Sequence, residues 1–142
     1  MRLRSKFLIA SLLWAAGILI VMCTSSAHAF MYEQTLSYTL NFNPDFSDFF
    51  RTSDIDLTDS FYLLQKTGHI LSFGILYILV FNWLRNHYKA FGICIFFAFC
   101  TEVLQLFFER NGRLFDVSVD LVGILLAVAI IQLVRINTAK AE

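Results

Sequence analysis

Four stretches of this chain, residues 7–23, 67–84, 90–108 and 117–134, carry almost no charge. Each is close to the roughly 20 apolar residues that a helix needs to cross a hydrocarbon core. A soluble chain of 142 residues could not bury four such segments. The pattern therefore predicts an all-α fold, an integral membrane bundle of four transmembrane helices with one longer external loop. The whole chain, 1–142, reads as a single membrane domain.

The polar interruptions of those stretches are few and carry the chemistry. Lys66 and His69 head the second run, Glu102 and Gln105 sit in the third, and Asp116 and Asp120 open the fourth. Arg110 and Arg113 occupy the short link between the third and fourth runs. Ionisable groups at membrane depth are costly, so by default they mark a function and need a partner.

Charge sets the expected orientation. Arg2, Arg4 and Lys6 precede the first run, Arg85 and Lys89 lie between the second and third, and Arg135 and Lys140 follow the fourth. The segment between the first two runs is acidic, with Glu33, Asp45, Asp48, Asp54, Asp56 and Asp59 against Arg51 alone. Short cytoplasmic loops are enriched in Lys and Arg, which predicts a multi-pass protein of the cell membrane with both termini cytoplasmic. All eight polar residues named above then lie toward the outer face. Arg110 and Arg113 break the charge rule there, which singles them out.

The basic start, the apolar run and Ala27-His28-Ala29 also have the layout of a cleaved secretory signal. The first run is longer than the roughly 7–15 residues of a cleaved apolar region, which favours a retained anchor helix. Residues 30–64 are acidic yet studded with Tyr32, Tyr38, Phe42, Phe46, Phe49, Phe50, Phe61 and Tyr62. Aromatic residues gather at membrane interfaces, so this segment is expected on the bilayer surface or over the helix ends, as an anchored loop or as a lid. Asp59 stands where it would complement the dipole of a helix from Ser60, and His28 reads as a loop residue.

Composition removes other classes. The chain is 58% hydrophobic and 15% charged, with 16 phenylalanines, and has no glycine-rich phosphate loop and no basic patch suited to nucleic acid. Cys23, Cys94 and Cys100 lie in apolar runs at spacings of no metal-ligand set, and are expected to act as small hydrophobes. No cofactor and no metal is implied by local spacing.

Lys66 and His69, three apart, share a helix face, as do Glu102 and Gln105. Lys66 could snorkel to the interface, and His69 could hold helices together. Glu102 lies about 9 Å below the end of its run at 1.5 Å per residue, where an unpaired carboxylate costs on the order of 2.5–3.5 kcal/mol. It should be protonated or paired with Lys66, His69 or an arginine. An N-cap role is the ordinary reading of Asp116, but Asp120, one turn deeper, needs another explanation. Gly123, one further turn down, permits close helix approach.

Taken together, Lys66-x-x-His69, Glu102-x-x-Gln105, a loop arginine and Asp116-x-x-x-Asp120-x-x-Gly123 resemble the VanZ-like family, as does the early Tyr32-Glu33-Gln34. A tyrosine usual four residues after that family's histidine is Phe73 here, and either Arg110 or Arg113 could be its loop arginine. The resemblance implies a small four-span bacterial membrane protein. The family is named after a member linked to teicoplanin (glycopeptide) resistance and has no single established activity.

The leading expectation is a cell-envelope protein whose outward polar site binds or modifies a cell-wall or lipid-linked ligand, with membrane lipids as partners and no nucleic acid. Altered glycopeptide susceptibility would be one consequence. His69, Glu102 and Asp120 are the candidate catalytic residues should chemistry occur; Lys66, Gln105, Arg110, Arg113 and Asp116 are the candidate ligand-binding residues. The alternative is a non-enzymatic structural or partner-binding protein whose cluster is an internal ion-pair network. A proton pathway is a third reading, weakened because the inner halves of the spans lack charge.

Overall fold

The computed structural model describes residues 2–141; the side chains of Arg2 and Lys140, counted in the charge pattern, lie outside the described residues. The order is α1 (Arg2–Met22), α2 (Ala27–Glu33), a 3₁₀ turn (Phe46–Phe50), α3 (Ser60–Leu84), α4 (His87–Phe107) and α5 (Leu114–Ala141). Four of these helices are long and apolar enough to cross a membrane. There is no strand among the described residues, so the expected all-α bundle of four spanning helices is the fold found.

The helices begin earlier or run longer than the uncharged stretches. α3 starts seven residues before Thr67, because Asp59 caps it by accepting from the Phe61 N–H at 2.9 Å. α5 continues past Val134 on good helix formers such as Arg135 and Ala139. At the other end of α3, Arg85 takes a left-handed conformation (φ 56°), and Asn86 caps α4 through the Lys89 N–H.

Large apolar side chains such as Leu12, Leu13, Phe96, Leu126 and Leu133 point away from the bundle, as a lipid-facing surface requires. Inside, Ala90, Cys94, Ala98 and Thr101 form a fully buried stripe of small residues on α4. Small residues let membrane helices approach closely without a hydrophobic driving force between them. Phe73, Tyr77 and Ile124 fill the space opposite that stripe.

α3 and α5 run parallel and make the most extensive contact, while α1 packs antiparallel on α3. The Trp14 indole N–H donates to the Ser72 carbonyl at 2.9 Å, holding α1 against α3. Gly123 sets the α3–α5 separation, since a Cβ there would overlap the backbone of Ile70. That contact fixes which residues of the two helices face each other one turn above, and there the polar residues sit.

Candidate functional site

Two rungs join α3 to α5 above Gly123. Lys66 Nζ donates to Asp116 Oδ1 at 2.5 Å, and His69 Nδ1 shares a 2.9 Å hydrogen bond with Asp120 Oδ1. Positions 66 and 69 lie one turn apart on one helix and positions 116 and 120 one turn apart on the other, so parallel packing brings them opposite as pairs. Asp116 is not the N-cap its position suggested. It sits inside the first turn of α5, and its carboxylate meets Lys66 instead. The Lys66 ammonium also lies 4.5 Å from the centre of the Tyr62 ring.

Glu102 comes in from α4 and is fully buried. Of the partners expected for it, His69 alone is within ion-pair distance, and neither Lys66 nor an arginine side chain reaches it. Gln105 Nε2 donates to Oε1 at 2.7 Å, and the backbone N–H of Arg113 donates to Oε2 at 3.0 Å. His69 Nδ1 stands 3.9 Å from Oε1, beyond hydrogen-bond range. Gly112 makes this possible, because any Cβ there would overlap the Glu102 backbone carbonyl. The link from α4 to α5 therefore lies flat on α4 and aims the next amide at the carboxylate.

The two loop arginines have different surroundings. Arg113 is a clamp: Nε and Nη2 donate to Asp54 Oδ2 at 3.0 and 2.7 Å, and Nη1 donates to the Asp48 carbonyl at 2.6 Å. Burial pushes the Asp54 carboxyl up, but the Arg113 hydrogen bonds and charge outweigh this and hold it below its ordinary range. Arg110 instead donates Nη1 to the Thr24 carbonyl at 2.9 Å and forms no ion pair with a carboxylate among the described residues. It is half-buried; burial lowers its pKa, and the negative charges of Glu102 and Asp116 oppose that. All eight candidate residues thus gather at one end of the bundle, with Arg113 turned toward the long connection and Arg110 toward the cavities.

That connection covers this end of the bundle. The Asn41 N–H donates to the Phe107 carbonyl at 2.8 Å, and Phe46 and Phe49 pack edge-on against Phe107 and Phe99. His28 is helical rather than a loop residue, lying in α2 with its ring 4.6 Å from that of Tyr32 and 5.4 Å from that of Phe61.

Three cavities meet here. A polar one of about 360 Å³ is walled by Asp54, Tyr62, Lys66, Arg110, Arg113 and Asp116. An apolar one of about 180 Å³ lies between α1–α2 and α3, with Met22, Phe30, Leu64, His69 and Arg110 in its walls. The third, about 230 Å³, continues along α1 and α3 past Trp14 and Ile18. The first two share Gln65 and Arg110, and the last two share Met22 and Ser72.

Sequence reasoning missed Thr24, Asp54 and a second polar group at the opposite end. There Tyr77 Oη lies 2.7 Å from His87 Nδ1, and Arg135 Nη1 lies 3.4 Å from His87 Nε2. The only signal for it was a histidine and an arginine at span ends, where such residues are common.

Comparison with known proteins agrees with this architecture. The VanZ/LLP1 family model matches residues 7–135. An uncharacterized membrane protein of Bacillus subtilis (strain 168), YwnJ, is 39% identical over 111 residues, covering 78% of this chain and 79% of that protein. No solved structure gives a significant match.

Proposed function

Since this chain belongs to the VanZ/LLP1 family, and is a membrane protein like its relative in Bacillus subtilis, we propose that it holds a lipid-linked envelope ligand by an anionic headgroup at the outer leaflet. The observation that carries this reading is that the three cavities adjoin, each sharing wall residues with the next. The two apolar ones follow α1 and α3 from Trp14 to Arg110, and the polar cavity lies on the other side of Gln65 and Arg110. An acyl or prenyl chain suits the apolar cavities, and an anionic headgroup suits the polar chamber.

Arg110 is the residue suited to that headgroup. Its fork is not engaged by a carboxylate, and guanidinium geometry matches phosphate or carboxylate bidentately. Lys66 and Asp116 stand beside it, and Gln105 braces Glu102. His69 borders the apolar cavity just below Arg110, so a seated ligand would pass His69, behind which Asp120 and Glu102 are buried. Of these three, His69 is the group placed to act if the ligand is modified. Altered glycopeptide susceptibility would follow if that ligand is a cell-wall component.

A second reading keeps the cluster as scaffold. Lys66 and Arg113 already have carboxylate partners, and both oxygens of Glu102 are occupied. Lipids that copurify with the intact protein separate the two. Wild-type protein should retain an anionic lipid, and Arg110→Gln should reduce its yield at least about tenfold, the loss of one charge-assisted contact of about 1.5–3 kcal/mol. The melting temperature should stay near that of the wild type. Equal lipid complements in both proteins would leave the scaffold reading standing.

The outward orientation has its own test. In a background free of Cys23, Cys94 and Cys100, a cysteine replacing the exposed Asn111 should react with an impermeant thiol reagent on whole cells. One replacing Tyr88, which is 90% exposed at the other end, should react only after lysis. The reverse pattern would place the chamber on the cytoplasmic side.

A further inference from the structure

Three helices each bring one buried ligand-type side chain to a single point. His69 of α3, Glu102 of α4 and Asp120 of α5 hold a ring nitrogen and two carboxylate oxygens within 4.8 Å of one another. All three are 1% exposed or less. We propose that this triad binds one divalent transition-metal ion of the zinc(II) or manganese(II) type.

Charge is the first argument. Two carboxylates sit at membrane depth, and the nearby cations have other partners, Lys66 on Asp116 and Arg113 on Asp54. Among the described residues, His69 is the one basic side chain within 4 Å of Glu102 or Asp120. A divalent cation bound by two carboxylates and a neutral imidazole leaves no net charge, the arrangement a low-dielectric site favours.

The second argument is a polar atom without a partner. Asp120 Oδ2 is enclosed and has no hydrogen-bond partner among the described residues. The ring nitrogen that faces both carboxylates is His69 Nδ1, 2.9 Å from Asp120 Oδ1 and 3.9 Å from Glu102 Oε1. Buried polar atoms are nearly always satisfied, and exceptions point to a group such as a water or an ion. A third observation concerns the bracing of Glu102. Metal-binding carboxylates are themselves held by outer hydrogen bonds, and Glu102 is fixed at both oxygens by the Gln105 amide and the Arg113 backbone.

Ligand chemistry narrows the ion. One imidazole and two carboxylates suit zinc or manganese, whereas calcium asks for about six to eight oxygens. Ligands about 2.0–2.2 Å from a tetrahedral zinc lie about 3.3–3.6 Å apart, so the widest pair of the triad must close by about an ångström on binding. The set escapes local sequence spacing because each ligand comes from a different helix.

The test uses the full-length protein in detergent, stripped with a chelator and reloaded with zinc or manganese. Metal counting by mass spectrometry should find about one ion per chain, and zinc should raise the melting temperature by several degrees. His69→Ala and Asp120→Asn should each cut affinity at least about tenfold. His87→Gln, at the opposite end, should leave it unchanged. If the triad variants do not fold, competition between stripped wild-type protein and a chromophoric chelator decides alone. Stripped protein that stays folded but takes up no zinc or manganese, or uptake equal in folded triad variants, overturns the proposal. The lipid complement read on the same samples is a separate outcome, so loss of the metal site would not by itself remove the lipid reading.

Discussion

Lys66→Met should destabilise the purified protein by about 3–5 kcal/mol, the cost of leaving one partner of a buried pair uncompensated. The Asp116 side chain is 3% exposed and that of Lys66 14%, so water from the polar cavity can replace the lost ammonium only in part. The stranded carboxylate would also share this end of the bundle with Glu102 and Asp120, both fully buried. Asp116→Asn should cost less, because an amide still accepts from Lys66 and the ammonium can reach the polar cavity. The double change Lys66→Met with Asp116→Leu should recover most of the loss, since a buried pair is often replaceable by apolar residues of similar volume. Denaturant unfolding followed by tryptophan fluorescence measures the cycle. A loss under about 1 kcal/mol for Lys66→Met would mean that the pair behaves like a solvated one.

The recovery in the double variant bears on function. If Lys66 and Asp116 only tie α3 to α5, a stable apolar replacement should keep whatever the protein does. If they help shape the chamber for an anionic headgroup, the same stable protein should lose its copurifying lipid. Stability and binding then separate, which no single substitution at this rung achieves.

What could be read in advance follows from how local each interaction is. The length of an apolar run is a property of consecutive residues, so four spans were legible, and so was the sharing of a face by positions 66 and 69. A close approach to the fourth span was legible through Gly123, whose missing side chain allows it, but not that α3 makes it through Ile70. The start of α3 was legible too, because an acidic residue at 59 marks a helix from Ser60. Asp59 acts there as a side-chain cap on the Phe61 N–H rather than as a dipole partner alone. The hydrogen-bond partners of Glu102 were not legible at all. One is a backbone N–H, which has no side-chain signature, delivered by the close seating of Gly112 on α4. The division between Arg110 and Arg113 depended on Asp54, one of six similar acids in a segment without periodicity. Three-helix convergence on one point, which gathers His69, Glu102 and Asp120, is a tertiary fact and leaves no local spacing to find.

Glu102 gives the other large effect, and its two substitutions should behave differently. Glu102→Ala removes both acceptors from a site with no exposure, leaving the Arg113 N–H and the Gln105 amide without partners. Each orphaned donor costs about 1–3 kcal/mol, so a total of about 2–6 kcal/mol is expected, with a cavity penalty in addition. The link 108–113 should also loosen, because the hold of the Glu102 carboxylate on the Arg113 amide is gone. Glu102→Gln should cost far less. Its amide oxygen can keep the Arg113 N–H, and Gln105 can turn its own amide so that its oxygen accepts from the new side chain. No short ion pair is broken, since His69 is 3.9 Å away and neither Lys66 nor an arginine side chain contacts the carboxylate. A charge needed only to satisfy scaffold hydrogen bonds would therefore be dispensable. The expected result is a Gln variant that melts within a few degrees of the wild type yet loses zinc uptake and changes its lipid complement. Thermal melting, metal counting and lipid identification on one preparation check all three. A Gln variant with unaltered metal and lipid content would reduce Glu102 to a structural brace.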